Sequence, residues 1–201
     1  QISNVVVDAC VHITEQYLTY PADAPIQDRF AESLLTTLIE EGPKALAMPE
    51  DYNIRGNIMW CTTMALNGVI GAGVPHDWAT HMIGHEITAE FEIAHGTTLA
   101  IVLPSTLRNM KEQKKLKLLQ YAERVWNIRA GSDDEKVDEA IDKIQSFFEA
   151  MGIKTKMSQY NIEAKDIDTM IGRLEDKGLS ALGEHENIDI PMSRKILEDS
   201  L

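Results

Sequence analysis

Segments with helical periodicity recur along the whole chain, and the alternating pattern of a β-strand does not. Glycine, proline or polar capping residues bound most of these segments. They span residues 3–19, 25–41, 50–70, 76–90, 97–112, 114–127, about 163–177 and 191–200, with one further helix after Ser132. This pattern predicts an all-α fold.

The helix after Ser132 has the clearest start signal. Ser132 and Glu135 match the S-x-x-E pattern of a capping box, in which each side chain bonds the other residue's backbone N–H. Apolar residues then recur at helical spacing. They are Val137, Ala140, Ile141, Ile144, Phe147, Phe148 and Met151. We therefore expect this stripe to be buried.

Proline and glycine predict where other helices end or bend. Gly42-Pro43 is expected to close the second helix ahead of a separate short turn, PKALAM. Pro104 is expected to bend the helix over 97–112. Residues 188–191 are expected to form a short extended entry to the last helix.

Residues 50–70 are mostly apolar, which predicts a central helix. Met59, Trp60 and Met64 are accordingly expected in the core. The glycines of GVIGAG (68–73) follow this helix rather than a strand, so they lack the strand–glycine–helix context that cradles a dinucleotide. We interpret residues 1–201 as one domain, with a possible division into two sub-bundles near Gly131.

The net charge of −13 argues against a nucleic acid or an anionic membrane as partner, since both need basic surface. Apolar runs stay well short of the roughly 20 residues of a membrane span. Cys10 and Cys61 form no C-x-x-C pair and indicate buried free thiols in a reducing compartment, which favours the cytoplasm. The chain begins at Gln1 within structured sequence, so we expect it to be a piece of a longer protein.

Five residues could form a metal centre: Asp8, His12, His81, His85 and His95. Side chains four apart share a helix face, so Asp8 can act with His12, and His81 with His85. A carboxylate with imidazoles suits Fe²⁺, Zn²⁺ or Ni²⁺ better than Ca²⁺ or Mg²⁺. The spacing also fits a hydrogen-bonded pair or satisfied core histidines.

The other histidines are less suited to a site. His76, beside Pro75, and His185, within GEHEN, are expected at the surface. Trp78 and Ile83 lie close to His81 in the sequence, and we expect them to line a substrate pocket.

Three stretches together resemble one known family, the iron-containing (group III) alcohol dehydrogenases. They are VVVDACVHITEQYLTYPADAPIQDRFAE, GAGVPHDWATHMIGHEITAEFEIAHGTTLAIVLP and KKLKLLQYAERVWNI. The likeness is strongest to the butanol-dehydrogenase-like branch of NADPH-dependent aldehyde reductases. The D-x3-H and H-x3-H-x9-H spacings make the resemblance specific, and it covers essentially the whole chain.

The resemblance implies a dehydroquinate synthase-like, all-helical C-terminal domain. Asp8, His12, His81 and His95 match the metal-ligand positions, with Fe²⁺ or Zn²⁺ as the ion. His85 matches a histidine between the metal and the nicotinamide, with a catalytic or cofactor-binding role. The resemblance implies hydride transfer, from NAD(P)H to an aldehyde or from an alcohol to NAD(P)+.

The resemblance also implies partners. Family members have an N-terminal dinucleotide-binding domain that is absent from these residues, so this chain alone is expected to reduce aldehydes little or not at all. A homodimer is implied as well. Two alternatives stay open: a related enzyme such as a glycerol dehydrogenase-like polyol dehydrogenase or a dehydroquinate synthase, and a non-catalytic helical interaction domain.

Overall fold

The computed structural model describes all 201 residues, and they form helices and loops without a strand. Two short 3₁₀ turns, Met157–Tyr160 and Ala164–Asp166, precede the last two helices. The α-helices are α1 (Ile2–Tyr17), α2 (Pro25–Ala47), α3 (Tyr52–Leu66), α4 (Ala79–Phe91), α5 (His95–Asn109), α6 (Lys111–Arg124), α7 (Asp133–Ala150), α8 (Ile167–Asp176) and α9 (Ile190–Asp199). The all-α prediction is confirmed. None of the helices has both the length and the hydrophobicity that a bilayer crossing requires.

Helix α5 is the centre of the fold. Every residue from Gly96 to Leu107 is buried, and the helix packs against α1, α4, α7 and α9. The six consecutive apolar residues from Leu99 to Pro104 point to all sides of the helix, so every side must be covered, which explains its position. Its first residue, His95, lies at the end where α1 and α4 also meet it.

Two hydrophobic clusters lie on opposite faces of α5. The larger takes Leu99, Ala100, Leu103 and Leu107 from α5 and joins them to α1, α2, α3, α6 and α7. The smaller takes Ile101 and Val102 and joins them to α4 and to residues 157–201. Helices α6 and α7, on either side of Gly131, belong to the same cluster, so the two cores are not separated at that position.

Helix α2 continues through Gly42-Pro43 to Ala47, so the predicted end at residue 41 is wrong. Gly42 is buried, and a Cβ there would lie 3.0 Å from Met151 Sδ and 3.1 Å from Val6 Cγ1. The glycine therefore serves close packing rather than termination. Ala45, fully buried beyond the proline, helps to hold the last turn in place.

Helix α3 is shorter than predicted and only one of its faces is buried. Asp51 caps it by accepting from the amides of Asn53 and Ile54, at 2.9 and 3.0 Å. The buried stripe is Ile54, Ile58, Cys61 and Ala65. Met59 and Trp60 are 67% and 65% exposed, so their predicted place in the core is wrong, whereas Met64 packs against the larger cluster.

Helix α7 follows its prediction. The capping box of Ser132 and Glu135 is present, with both reciprocal hydrogen bonds formed. The whole predicted apolar stripe, to Met151, is buried. Near the C-terminus, Leu182 and Ile188 form an isolated antiparallel bridge. The extended entry predicted over residues 188–191 is therefore limited to Ile188 and Asp189, because α9 already begins at Ile190.

Gly96 lets the start of α5 approach the start of α1. A Cβ at this position would lie 2.9 Å from the Cα of Asn4 and closer still to its carbonyl oxygen. The Thr97 hydroxyl also donates to Asn4 Oδ1, at 3.0 Å. Because no larger residue fits, this contact sets how near His95 comes to α1.

We predict that Gly96→Ala lowers the free energy of unfolding by about 1–3 kcal/mol, the usual cost of overpacking. Gly56→Ala is the matched control, because a Cβ at Gly56 meets nothing within 4 Å. Alanine in the middle of α3 should stabilise by up to about 1 kcal/mol. Denaturant unfolding of both variants measures the difference, and equal stability of the two would contradict the close approach.

Candidate metal centre

A carboxylate oxygen of α1 lies among three imidazole nitrogens. Asp8 Oδ1 is 3.0 Å from His12 Nδ1, 3.9 Å from His81 Nε2 and 3.8 Å from His95 Nε2. The donor atoms of Asp8, His81 and His95 all lie within 4.8 Å of one another. Residues from α1, α4 and the first turn of α5 thus meet at one point.

His12 borders this group through its Nδ1 atom. That atom lies 3.2 Å from His81 Nε2 and 2.9 Å from the Asp8 carbonyl oxygen, one turn earlier in α1. The four-residue spacing in the sequence therefore does place both side chains on one face. His12 contacts two members of the converging group, Asp8 and His81.

The donor set fits a divalent transition metal. Asp8 Oδ1 is buried and has no hydrogen-bond partner, although it faces nitrogen atoms on three sides. Such an orphaned acceptor is unfavourable unless a cation neutralises it. In a tetrahedral site with bonds of about 2.0–2.1 Å, neighbouring donors lie about 3.4 Å apart. The distances from Asp8 Oδ1 to the three nitrogens, 3.0 to 3.9 Å, span that value.

Glu15 holds His81 from the side away from Asp8. Its carboxylate contacts His81 Nδ1 through Oε2, and its Oε1 accepts from the Thr80 amide at 2.6 Å. The residue is only 2% exposed. Sequence reasoning missed Glu15, although its spacing of seven residues from Asp8 and three from His12 was a usable signal, because it places all three on one helix face.

The charges of the cluster shift its protonation. Burial raises the pKa of Asp8, but the nearby rings of His12 and His81 outweigh it and hold the pKa well below its usual range. Burial lowers the pKa of His81, yet the neighbouring carboxylates of Asp8 and Glu15 raise it to about 9. His81 is therefore protonated at neutral pH.

His85 lies one turn after His81 and outside the converging group. Its ring is exposed and stacks on His95, with centroids 4.9 Å apart and an interplanar angle of 26°. Burial and the charge of His81 lower the pKa of His85. Burial likewise lowers the pKa of His95, against the attraction of Asp8. Both rings are therefore neutral at pH 7.

Trp78 forms one wall of the centre. Its ring lies 5.4 Å from that of His81 and 5.7 Å from that of His12, between centroids. Its backbone has a left-handed φ of 61°, a strained conformation for a bulky residue. Ile83, also expected near a substrate, is instead fully buried in the smaller cluster, so that expectation is wrong.

His76 holds the indole of Trp78. Its Nδ1 accepts from Trp78 Nε1 at 3.3 Å, and its Nε2 lies 2.9 Å from the Gly71 carbonyl oxygen. A Cβ at Gly71 would collide with the ring, 2.6 Å from His76 Nε2. His76 is thus half-buried and hydrogen-bonded, contrary to the prediction of an ordinary surface residue. His185 is exposed, as expected.

A buried ion-pair network anchors the segment ahead of α4. Lys114 Nζ is fully buried and lies 2.9 Å from Asp77 Oδ2, 2.7 Å from Glu184 Oε2 and 2.8 Å from the Leu18 carbonyl oxygen. Asp77 Oδ1 accepts from the Ala79 amide, the first of α4. Burial lowers the pKa of Lys114, but the two carboxylates outweigh it, so the ammonium stays charged.

A recess of about 160 Å³ opens beside Asp8 and His12. Its other lining residues come from α1 and α3 and are mostly small or apolar. They are Val5, Ala9, Thr62, Ala65 and Leu66. The recess thus has Asp8 and His12 beside a mostly apolar wall from α1 and α3.

Comparison with known proteins shows a family. The chain matches the model of the Fe-containing alcohol dehydrogenase family, C-terminal, over residues 3–196. NADPH-dependent aldehyde reductase YqhD of Escherichia coli (strain K12) is 55% identical over 198 residues, covering 98% of this chain and 51% of that protein. Probable NADH-dependent butanol dehydrogenase 1 of Bacillus subtilis (strain 168) is 34% identical over 197 residues, covering 97% of this chain and 50% of that protein.

Solved structures agree with this match. The substrate- and cofactor-free form of YqhD from E. coli superposes with a TM-score of 0.99 at 54% identity, covering 100% of this chain and 53% of that one. NADH-dependent butanol dehydrogenase A of Thermotoga maritima gives a TM-score of 0.89 at 26% identity, and the match covers 98% of this chain and 51% of that one. The chain spans about half the length of these relatives. The resemblance predicted from the sequence is confirmed, and the chain belongs to the Fe-containing alcohol dehydrogenase family.

Proposed function

We propose that residues 1–201 form the metal-binding domain of an NAD(P)H-dependent alcohol dehydrogenase or aldehyde reductase. The observation that carries this proposal is the buried, unpartnered Asp8 Oδ1 facing His12, His81 and His95. A carboxylate with three imidazoles is a donor set for Fe²⁺ or Zn²⁺. A divalent ion held by these four side chains would act as a Lewis acid toward a carbonyl or alcohol oxygen.

His85 is proposed as the residue that handles the proton or orients the nicotinamide. Its exposed ring stacks on His95 and so reaches the solvent side of the centre. Because burial and the charge of His81 lower its pKa, His85 is neutral at pH 7. A neutral imidazole can take a proton on one ring nitrogen and release the proton on the other.

Small aldehydes and the corresponding alcohols are the proposed substrates. The recess beside Asp8 offers Val5, Ala9 and Leu66 to an alkyl group, and its polar lining includes the Asp8 carboxylate and the His12 imidazole. The two curated relatives are named as an aldehyde reductase and a butanol dehydrogenase. NADPH is the proposed reductant, because the relative at 55% identity is named as NADPH-dependent.

The remaining proposals concern partners and location. We propose a dinucleotide-binding region elsewhere in the full-length protein, since the relatives are about twice as long. We also propose a homodimer, and Met59 and Trp60 on α3 are exposed apolar side chains that a partner surface could cover. The buried free thiols of Cys10 and Cys61 support a reducing compartment such as the cytoplasm. No feature of the site favours a polyol dehydrogenase or a non-catalytic domain over this proposal.

Two substitutions separate metal binding from the proposed role of His85 in aldehyde reduction. We expect His81→Ala to lose its bound ion, because it removes one of the four proposed donors. His85→Ala should keep the ion but lower NADPH-dependent butanal reduction by the full-length protein, by about 10²-fold or more. His185→Ala, an exposed histidine far along the chain, is the control.

Metal analysis and steady-state kinetics of the three variants give the readout. Wild-type metal content in His81→Ala would contradict the site, and unchanged turnover in His85→Ala would contradict the role of that residue.

The pKa of His81 predicts how metal affinity depends on pH. Below about 9 His81 is protonated, so an ion must displace the proton on Nε2. Zn²⁺ affinity should therefore rise about tenfold per pH unit above neutrality, and level off above pH 9. Competition titrations with a chelator across this range measure the slope. An affinity that does not change with pH would contradict the protonation of His81.

A further inference from the structure

We propose that Glu15 is a positioning residue that fixes the tautomer and the ring orientation of His81 toward the ion. This inference rests on the proposed function, because it assigns a role in metal binding. Glu15 lies in the last turns of α1, on the same face as Asp8 and His12. The metal centre therefore has Asp8 on one side of the His81 ring and Glu15 on the other.

Hydrogen-bond chemistry decides the tautomer. A carboxylate only accepts, and Glu15 Oε2 contacts His81 Nδ1, so Nδ1 must carry a proton. The other nitrogen, Nε2, is the one that faces Asp8 Oδ1 at 3.9 Å and His12 Nδ1 at 3.2 Å. An imidazole that donates through Nδ1 presents Nε2 as a metal ligand, the arrangement of a carboxylate–histidine–metal triad.

The carboxylate itself has little freedom to move. Its Oε1 accepts from the Thr80 amide at 2.6 Å, and the positive end of the α4 dipole favours an anion there. The Glu15 carbonyl oxygen accepts from the Asp77 amide at 2.9 Å, so α1 and the start of α4 are joined twice. Both Glu15 and His81 are almost fully buried, at 2% and 4% exposed.

Lys114 stabilises the residues that precede α4. Its buried ammonium holds the Asp77 carboxylate at 2.9 Å and also binds Glu184. Asp77 in turn caps α4 through the Ala79 amide. The segment that presents His81 to the centre is therefore tied to α1 and α6 by buried polar contacts.

A purely structural role is the alternative, since Glu15 also joins two helices. Glu15→Gln separates the two roles. If the amide oxygen keeps the bond from Thr80, the NH₂ group faces His81 Nδ1 and favours a proton on Nε2, which then cannot bind an ion. Glu32→Gln is the matched control, because Glu32 is a mostly buried carboxylate of α2 that binds Tyr17 and Gln120 and no histidine.

The experiment is titration of the metal-free protein with Co²⁺, followed by visible absorption, and with Zn²⁺ by competition. We expect Glu15→Gln to lower the affinity for both ions by about 10- to 100-fold. Its Co²⁺ spectrum should also change. Glu32→Gln should lose stability but keep wild-type affinity and spectrum. Glu15→Asp, which keeps the carboxylate, should recover part of the affinity and is the second variant if Glu15→Gln folds poorly.

The outcomes are distinct. Wild-type affinity in Glu15→Gln, or equal losses in Glu15→Gln and Glu32→Gln, would overturn the role of Glu15 and leave the metal site standing. Failure of the wild-type protein to bind either ion would contradict the proposed function and this inference together.

Discussion

Burial of the Asp8 Oδ1 atom is the constraint on which the site depends. An acceptor removed from water needs a donor or a cation, and the side chains that surround it are imidazoles from three helices. The attraction between the carboxylate and the imidazoles lowers the pKa of Asp8 and raises that of His81. The packing of α1, α4 and α5 holds the donor atoms of Asp8, His81 and His95 within 4.8 Å of one another.

The backbone contacts that allow this convergence lie just outside the centre. Gly96 admits the start of α5 against Asn4, which brings His95 to α1. Contacts of Glu15 with the amides of Asp77 and Thr80 join α1 to the start of α4 and bring His81 close to Asp8. Because α5 is buried on every side, these contacts are set by the whole core rather than by the surface. A larger residue at Gly96 should therefore also shift His95 relative to Asp8.

Local signals in the sequence were enough for the fold class and for part of the site. The stripe and capping box of α7 specify a helix and its buried face by spacing alone. Asp8 and His12 share a face for the same reason. By contrast, the exposure of Met59 and Trp60 could not be predicted, because apolar composition does not say which faces of a helix the other elements cover.

Contacts between distant residues account for the remaining differences. Glu15 meets His81 across 66 positions of sequence, so its spacing from Asp8 hinted at a shared face but not at this partner. The continuation of α2 past Pro43 depends on the packing of Gly42 against other helices, which no local rule for proline contains. The sequence around His76 predicts a surface loop residue, because it does not show that the ring bonds Gly71 and Trp78 in the fold.

Anomalous scattering from crystals grown with Zn²⁺ or Fe²⁺ tests the central claim most directly. A single peak should lie within bonding distance of the Asp8 carboxylate and of ring nitrogens of His12, His81 and His95, at about 2.0–2.2 Å. A stoichiometric ion bound at other residues, or an empty site in crystals saturated with metal, would contradict the assignment.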